Sequence, residues 1–290
     1  MADSLKLPPL KAAALLQAHG LRPDKRLGQN FLVDEHALER IAAAAEITPQ
    51  DGVLEIGPGM GALTRHLALR AARVVAVELD RRLLPILEQV VAAYDNVQVV
   101  QGDILQQDPA ALMGENPYLV VANIPYYITS AVFRHLLHAG RQPERIVLTI
   151  QREVAERICA QAGKMSLLAL SVQVYGAPKV VARIPAGAFY PAPRVDSAVV
   201  RVDLYPQPRI PRPLLDDFFR VAKAAFSQKR KTLLNALSGG MRWGKAETRE
   251  RLLRAEISPQ ARAQELDWEA WGRLLQTLSG EPGAGDDIPT

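Results

Sequence analysis

The stretch Val53-Leu54-Glu55-Ile56-Gly57-Pro58-Gly59-Met60-Gly61 carries an apolar run of strand length directly into three alternating glycines. Glycine lets a ligand approach the backbone, and in open α/β sheets ligands bind at the carboxyl ends of the strands. Further runs at residues 74–77, 97–100, 119–122 and 146–150 are rich in Val, Ile and Leu on both faces, the pattern of strands buried in a parallel sheet. Segments 62–69 and 82–93 between them have helical spacing. The expected fold is therefore a doubly wound, Rossmann-like α/β sheet with right-handed crossovers. Two later runs, 167–174 and 197–204, are expected to add an antiparallel edge to it.

The stretch Tyr205-Pro206-Gln207-Pro208-Arg209-Ile210-Pro211-Arg212-Pro213 cannot continue a strand, because its prolines remove donors and fix φ. It sets the expected boundary between a domain at 1–205 and a smaller, all-helical one at 206–290, with helices at 214–227, 229–237, 245–255, 258–265 and 268–278. The tail from Gly280 is expected to fray.

The whole chain, 290 residues and 48% hydrophobic, accommodates that pair of domains. The N-terminal run 10–21 is interrupted by Lys11, Gln17 and His19 and reads as a helix; no stretch is long enough to span a bilayer. Its one cysteine, Cys159, excludes an internal disulfide or a thiolate zinc cage and points to the reducing cytoplasm. Its helical spacing suits a small buried residue, so no chemistry is assigned to it. The net charge of +4 is unevenly spread: residues 201–254 carry 13 Lys and Arg against 5 Asp and Glu, and residues 255–290 carry 2 against 7. Such a basic block tracks nucleic-acid phosphates or else forms a solvated helical face.

A second strand ends in Val77-Glu78-Leu79-Asp80, which places Glu78 21 residues after Gly57, where an acid can accept both hydroxyls of a ribose. Dinucleotide and S-adenosylmethionine sites share that arrangement, and Gly57, Gly59 and Ala62 also satisfy the dinucleotide pattern. Asp103 closes the third strand, placed to accept from an adenine amine, and Asn123 closes the fourth. After that strand comes Asn123-Ile124-Pro125-Tyr126-Tyr127. An exocyclic adenine amine delocalises its lone pair into the ring and needs acceptors for its two N–H groups to hold it out of conjugation. The Asn123 side-chain oxygen and the Ile124 carbonyl, on a proline-stiffened turn, supply two, and Tyr126 offers a stacking face.

Taken in order, Gln29-Asn30-Phe31-Leu32, Glu55–Gly61, Val77–Asp80, Gly102-Asp103, Asn123–Tyr126, Phe189-Tyr190-Pro191-Ala192-Pro193-Arg194-Val195-Asp196-Ser197 and Arg230-Lys231-Thr232-Leu233-Leu234-Asn235 resemble the motifs of the ribosomal RNA adenine dimethyltransferases. The resemblance spans about residues 25–275. It implies S-adenosylmethionine as cofactor, bordered by Asn30 and Leu32 and contacted by Gly57, Glu78, Asp103 and Asn123. It further implies that Asn123 and Tyr126 hold the target adenine while Phe189 stacks on its other face. Without it, residues 29–32 read as a helix-capping turn and Phe189-Tyr190-Pro191 as a loop with buried aromatics.

The segment from Phe226 to Asn235 is similar to the small-subunit type, which dimethylates N6 of two adjacent adenines in the 3′-terminal hairpin of small-subunit rRNA during subunit biogenesis. The implied partner is the immature small ribosomal subunit, with no metal, no membrane and a monomeric protein. Tyr127-Ile128-Thr129-Ser130 departs from the Asn-Ile-Ser that many members carry after the tyrosine. The rival expectations are a nucleotide-dependent oxidoreductase, a large-subunit enzyme of the macrolide-resistance type, and a non-catalytic RNA-binding assembly factor.

Overall fold

The computed structural model describes residues 7–228 and 230–278; the tail expected to fray lies outside them. The chain divides into two compact units. One comprises the described residues up to Cys159 together with Gly176–Tyr205, and the other comprises Ala160–Tyr175 and the described residues from Pro206 onward.

The strands of the first unit are β1 (Phe31–Leu32), β2 (Gly52–Ile56), β3 (Arg73–Glu78), β4 (Val97–Gln101), β5 (Tyr118–Asn123), β6 (Arg145–Gln151), β7 (Gly176–Ile184), β8 (Phe189–Tyr190) and β9 (Ser197–Leu204). Seven form one sheet in the order β4-β3-β2-β5-β6-β9-β7, parallel from β4 to β6 and antiparallel at β9 and β7. Val53, Leu54, Val74, Val75, Val120, Val121, Ile146 and Val147 are fully buried, as their two-sided apolar pattern requires. Helices α1 (Ala12–Ala18), α2 (Glu35–Ala44), α3 (Ala62–Ala68), α4 (Leu84–Val91), α5 (Pro109–Met113), α6 (Thr129–Leu137) and α7 (Arg152–Ile158) complete the unit. The parallel strands, alternating with helices, form the doubly wound, Rossmann-like sheet expected from the sequence.

The edge differs from expectation. Residues 167–174 form helix α8 (Leu167–Gln173), capped by Ser166, whose hydroxyl accepts from the Ala169 N–H at 3.1 Å. Leu167-Leu168-Ala169-Leu170 are strong helix formers, and Ala169, Leu170 and Val172 bury one face. The edge strand is β7 instead. Its Pro178 lacks an N–H and its exposed Lys179 and Arg183 face water, features that sheet edges tolerate.

The second unit contains α8, α9 (Leu215–Phe226), α10 (Leu233–Gly240), α11 (Lys245–Arg254) and α12 (Trp268–Gln276). Fully buried Trp271 anchors it, edge-on to Phe218 at 5.9 Å and stacked with Phe226 at 6.3 Å. Helices α9 and α10 approach so closely that a Cβ on Gly240 would lie 2.6 Å from that of Ala224. Residues 258–265, expected to be a helix, keep only a 3-10 turn at Ala263–Glu265, because Pro259 follows a sharp turn with Glu256 at φ +56°. The helix expected from 229 begins at Leu233.

Candidate functional site

The carboxyl ends of β2, β3, β4 and β5 open onto a cavity of about 280 Å³ in the first unit. Its lining brings together Asn30, Leu32, Gly57, Glu78, Asp103, Asn123, Tyr126 and Phe189 from six separate segments of the chain.

Gly59, in the turn from β2 to α3, has φ +60°, and a Cβ there would press to 3.0 Å on the Phe31 ring. Its N–H donates to Glu78 Oε2 at 2.9 Å, while Glu78 Oε1 accepts from the Asp80 N–H at 2.8 Å. Burial pushes the Glu78 carboxyl above its ordinary range, and these backbone donors pull it back in part. An ionised carboxylate has about four acceptor positions, so Glu78 retains capacity for a diol. Asp103, just past β4, accepts from the Leu105 N–H at 3.0 Å and is held at the rim by that cap.

Asn123 ends β5. Its amide nitrogen donates to the Asn30 carbonyl at 3.3 Å, which leaves the amide oxygen as the end free to accept. The Tyr126 hydroxyl is hydrogen-bonded to Ser197 Oγ at 2.7 Å, fixing the ring, and burial raises its pKa so that the phenol stays protonated. Phe189 is 5% exposed on β8, which pairs antiparallel with β1 in the register Leu32↔Phe189 and Phe31↔Tyr190. Residues 29–32 are thus no simple capping turn: two of them are strand. Alternation along β8 turns Tyr190 outward, 40% exposed, where a buried aromatic was expected.

Three residues of the site escaped sequence reading. Glu55 lines the cavity at 1% exposure, and its Oε2 has no hydrogen-bond partner among the described residues. Burial pushes its carboxyl up to about 8, against the opposing pull of the Thr64 hydroxyl and with a further upward push from Glu78. A buried acceptor left unpaired is costly unless a ligand satisfies it, and a cationic ligand is what a carboxylate there would favour. An acid inside an otherwise apolar strand was the available signal. Gln29 and Ser197 are the others, legible only through their partners. Cys159 is partly buried at the end of α7, with its thiol pushed up to about 11 by burial, and supplies no nucleophile.

A glycine-rich turn, acids for hydroxyls and an amine, and a buried carboxyl with one unpaired oxygen together fit an adenosine carrying a cationic amino-acid arm. Residues 20–279 match the family described as ribosomal RNA adenine dimethylase. The chain belongs to the ribosomal RNA adenine dimethylase family. It is 46% identical over 278 residues to the ribosomal RNA small subunit methyltransferase A of Dehalococcoides mccartyi, covering 95% of this chain and 96% of that one. The same-named protein of Moorella thermoacetica is 43% identical over 287 residues, covering 95% and 99%. Among solved structures, a dimethyladenosine transferase from Plasmodium falciparum superposes with a TM-score of 0.74 at 25% identity, covering 86% of this chain and 97% of that one. The 23S rRNA methyltransferase ErmE gives 0.71 at 30% identity, covering 86% and 100%.

A dimethylase is a methyltransferase, so the oxidoreductase expectation falls. Among the described residues no helix is long and apolar enough to cross a membrane.

Proposed function

We propose that this dimethylase transfers methyl groups from S-adenosylmethionine to N6 of two adjacent adenines in the 3′-terminal hairpin of small-subunit rRNA, in the cytoplasm, on an immature small subunit. The observation that carries the reading is the orientation of Asn123. With its nitrogen engaged by the Asn30 carbonyl, its oxygen is the acceptor beside the glycine loop. When bound, the cofactor supplies a methyl carbon already activated by the sulfonium charge.

In this reading the ribose hydroxyls meet Glu78, the cofactor adenine meets Asp103, and its ammonium meets Glu55, which ionises on pairing with it. Asn30, Leu32 and Gly57 frame the same ligand. The target base lies between Tyr126 and Phe189, and the Asn123 oxygen and Ile124 carbonyl accept its two N–H donors. Held by these acceptors, the amine would be kept out of conjugation with its ring, so positioning by this chain's residues would carry most of the rate. The amine sheds its proton after attack, in keeping with a neutral, protonated Tyr126 and the absence of a histidine from the cavity lining. In the second unit, exposed Lys223 and Arg220 on α9 with Arg230, Lys231 and Arg242 give cationic contacts for rRNA phosphates. The target adenine has to leave its stack to enter the cavity.

Methyl-labelled S-adenosylmethionine incubated with unmethylated small-subunit particles, followed by nucleoside analysis, tests the assignment. Dimethyladenosine is expected, and Asn123→Ala should abolish it while RNA binding persists. Label on protein-free large-subunit rRNA alone would transfer the protein to the resistance-type activity, and no label anywhere would favour an assembly factor without catalysis.

A further inference from the structure

Gln29 precedes the two residues of its motif that border the cofactor, and its own side chain has no part in the reading above. Its amide nitrogen donates to Asp80 Oδ2 at 2.8 Å, and its amide oxygen accepts from the Asp24 N–H at 2.7 Å. With both ends engaged, the amide has one orientation. Asp80 is 7% exposed and is also gripped by Arg82, whose Nε donates to Oδ1 at 2.8 Å and whose Nη2 donates to Oδ2 at 2.7 Å. The same Arg82 reaches Asp24 Oδ2 at 3.4 Å. Segment 24–29 is thus bonded at two points to the turn after β3. Both joined segments contribute to the cavity wall, through Gly28 to Leu32 on one side and Glu78 and Leu79 on the other. The Asp80 N–H in turn donates to Glu78, so the tie ends on the carboxylate assigned to the ribose. Apolar packing of Phe31 with Leu16, Met60, Leu83 and Ile86 holds the segment folded independently of this polar tie.

We infer that Gln29 is a positioning residue for the cofactor: its bond to Asp80 latches segment 24–32 against the β3 turn, and opening of that latch governs exchange of S-adenosylmethionine for its demethylated product between successive transfers. The inference rests on the assignment of the cavity to S-adenosylmethionine. Placing four methyl groups on two adenines requires that exchange repeatedly.

The test uses the full chain. In Gln29→Ala, dissociation of S-adenosylmethionine and of S-adenosylhomocysteine should speed by about tenfold, the scale of one hydrogen bond to a charged group. The KM for the cofactor should rise in parallel, while the KM for the rRNA particle and the single-turnover rate at saturating cofactor hold. Gln29→Glu sets a second carboxylate against Asp80 and should loosen the site further. Unchanged dissociation in Gln29→Ala overturns the latch, and a lowered melting temperature alone would not support it. Wild-type cofactor affinity in Glu78→Ala would instead overturn the cavity assignment and the inference with it.

Discussion

Leu32 and Phe189 sit opposite each other on the antiparallel pair β1–β8 and belong to one buried cluster with Leu38, although 157 residues of sequence separate them. The wall assigned to the cofactor and the wall assigned to the target base therefore meet across one rung of the same ribbon. Phe189→Leu keeps an apolar side chain but loses buried volume, and should cost about 1–2 kcal/mol of stability. It removes a stacking face worth about 1–3 kcal/mol per base, so turnover at saturating cofactor should fall roughly tenfold to a hundredfold. Methylation kinetics beside urea unfolding separate the two effects, and full turnover in a folded Phe189→Leu protein would remove Phe189 from the acceptor wall.

Glu55 couples function to an instability of the ligand-free protein. Its carboxyl titrates at about 8 when folded against 4.5 ordinarily, because burial penalises the charge. A raised acid contributes nothing below the ordinary value, where both states are protonated; above it only the unfolded chain ionises, so stability falls as pH rises towards 8. Glu55→Gln should remove a penalty of up to about 3 kcal/mol at pH 7 and change nothing at pH 4. It should also weaken cofactor binding, since the amide cannot become an anion opposite the ammonium. Urea midpoints across this pH range check the first half and calorimetric titration the second. A pH-independent difference from wild type would argue against a neutral buried Glu55.

At the other end of the sheet the sign reverses. Burial acts to raise the Asp203 carboxyl, but hydrogen bonds from Arg145 and Arg201 outweigh it and hold it below its ordinary range. A depressed acid stabilises above the unfolded pKa and loses that contribution as pH falls through the folded value. Asp203 is about a third exposed, so after discounting for solvent screening Asp203→Asn should cost about 1 kcal/mol at pH 7. The gap from wild type should close in acid; a gap that persists there would mean that the loss is one of packing.

The parallel strands and the glycine turn were legible because two-sided apolar runs and left-handed glycines are local signals. Helix α8 was not: a short Leu- and Ala-rich run reads equally as a strand, and only the Ser166 cap and the burial of one face decide it. The eight site residues could be named by resemblance, yet Gln29 and Ser197 could not, since what marks them is a partner far along the chain; Glu55 left only the local signal of an acid in an apolar strand. Gln29 meets Asp80 across 51 residues and Tyr126 meets Ser197 across 71, and neither distance leaves a periodicity to read.

Tyr126 offers the sharpest division between a face and a hydroxyl. Its ring is assigned to stacking, while its hydroxyl is committed to Ser197, itself fully buried. Tyr126→Phe keeps the face and strands the Ser197 hydroxyl, so stability should fall by about 1 kcal/mol, the net worth of one such bond. Turnover should fall less than tenfold, through looser ring placement, and its pH profile should keep the wild-type shape because a protonated phenol takes no part in proton transfer. Tyr126→Ala, which removes the face, should fall much further. If Tyr126→Phe were as inactive as Tyr126→Ala and the alkaline limb of its profile moved, the hydroxyl would have to be given a role in the chemistry itself.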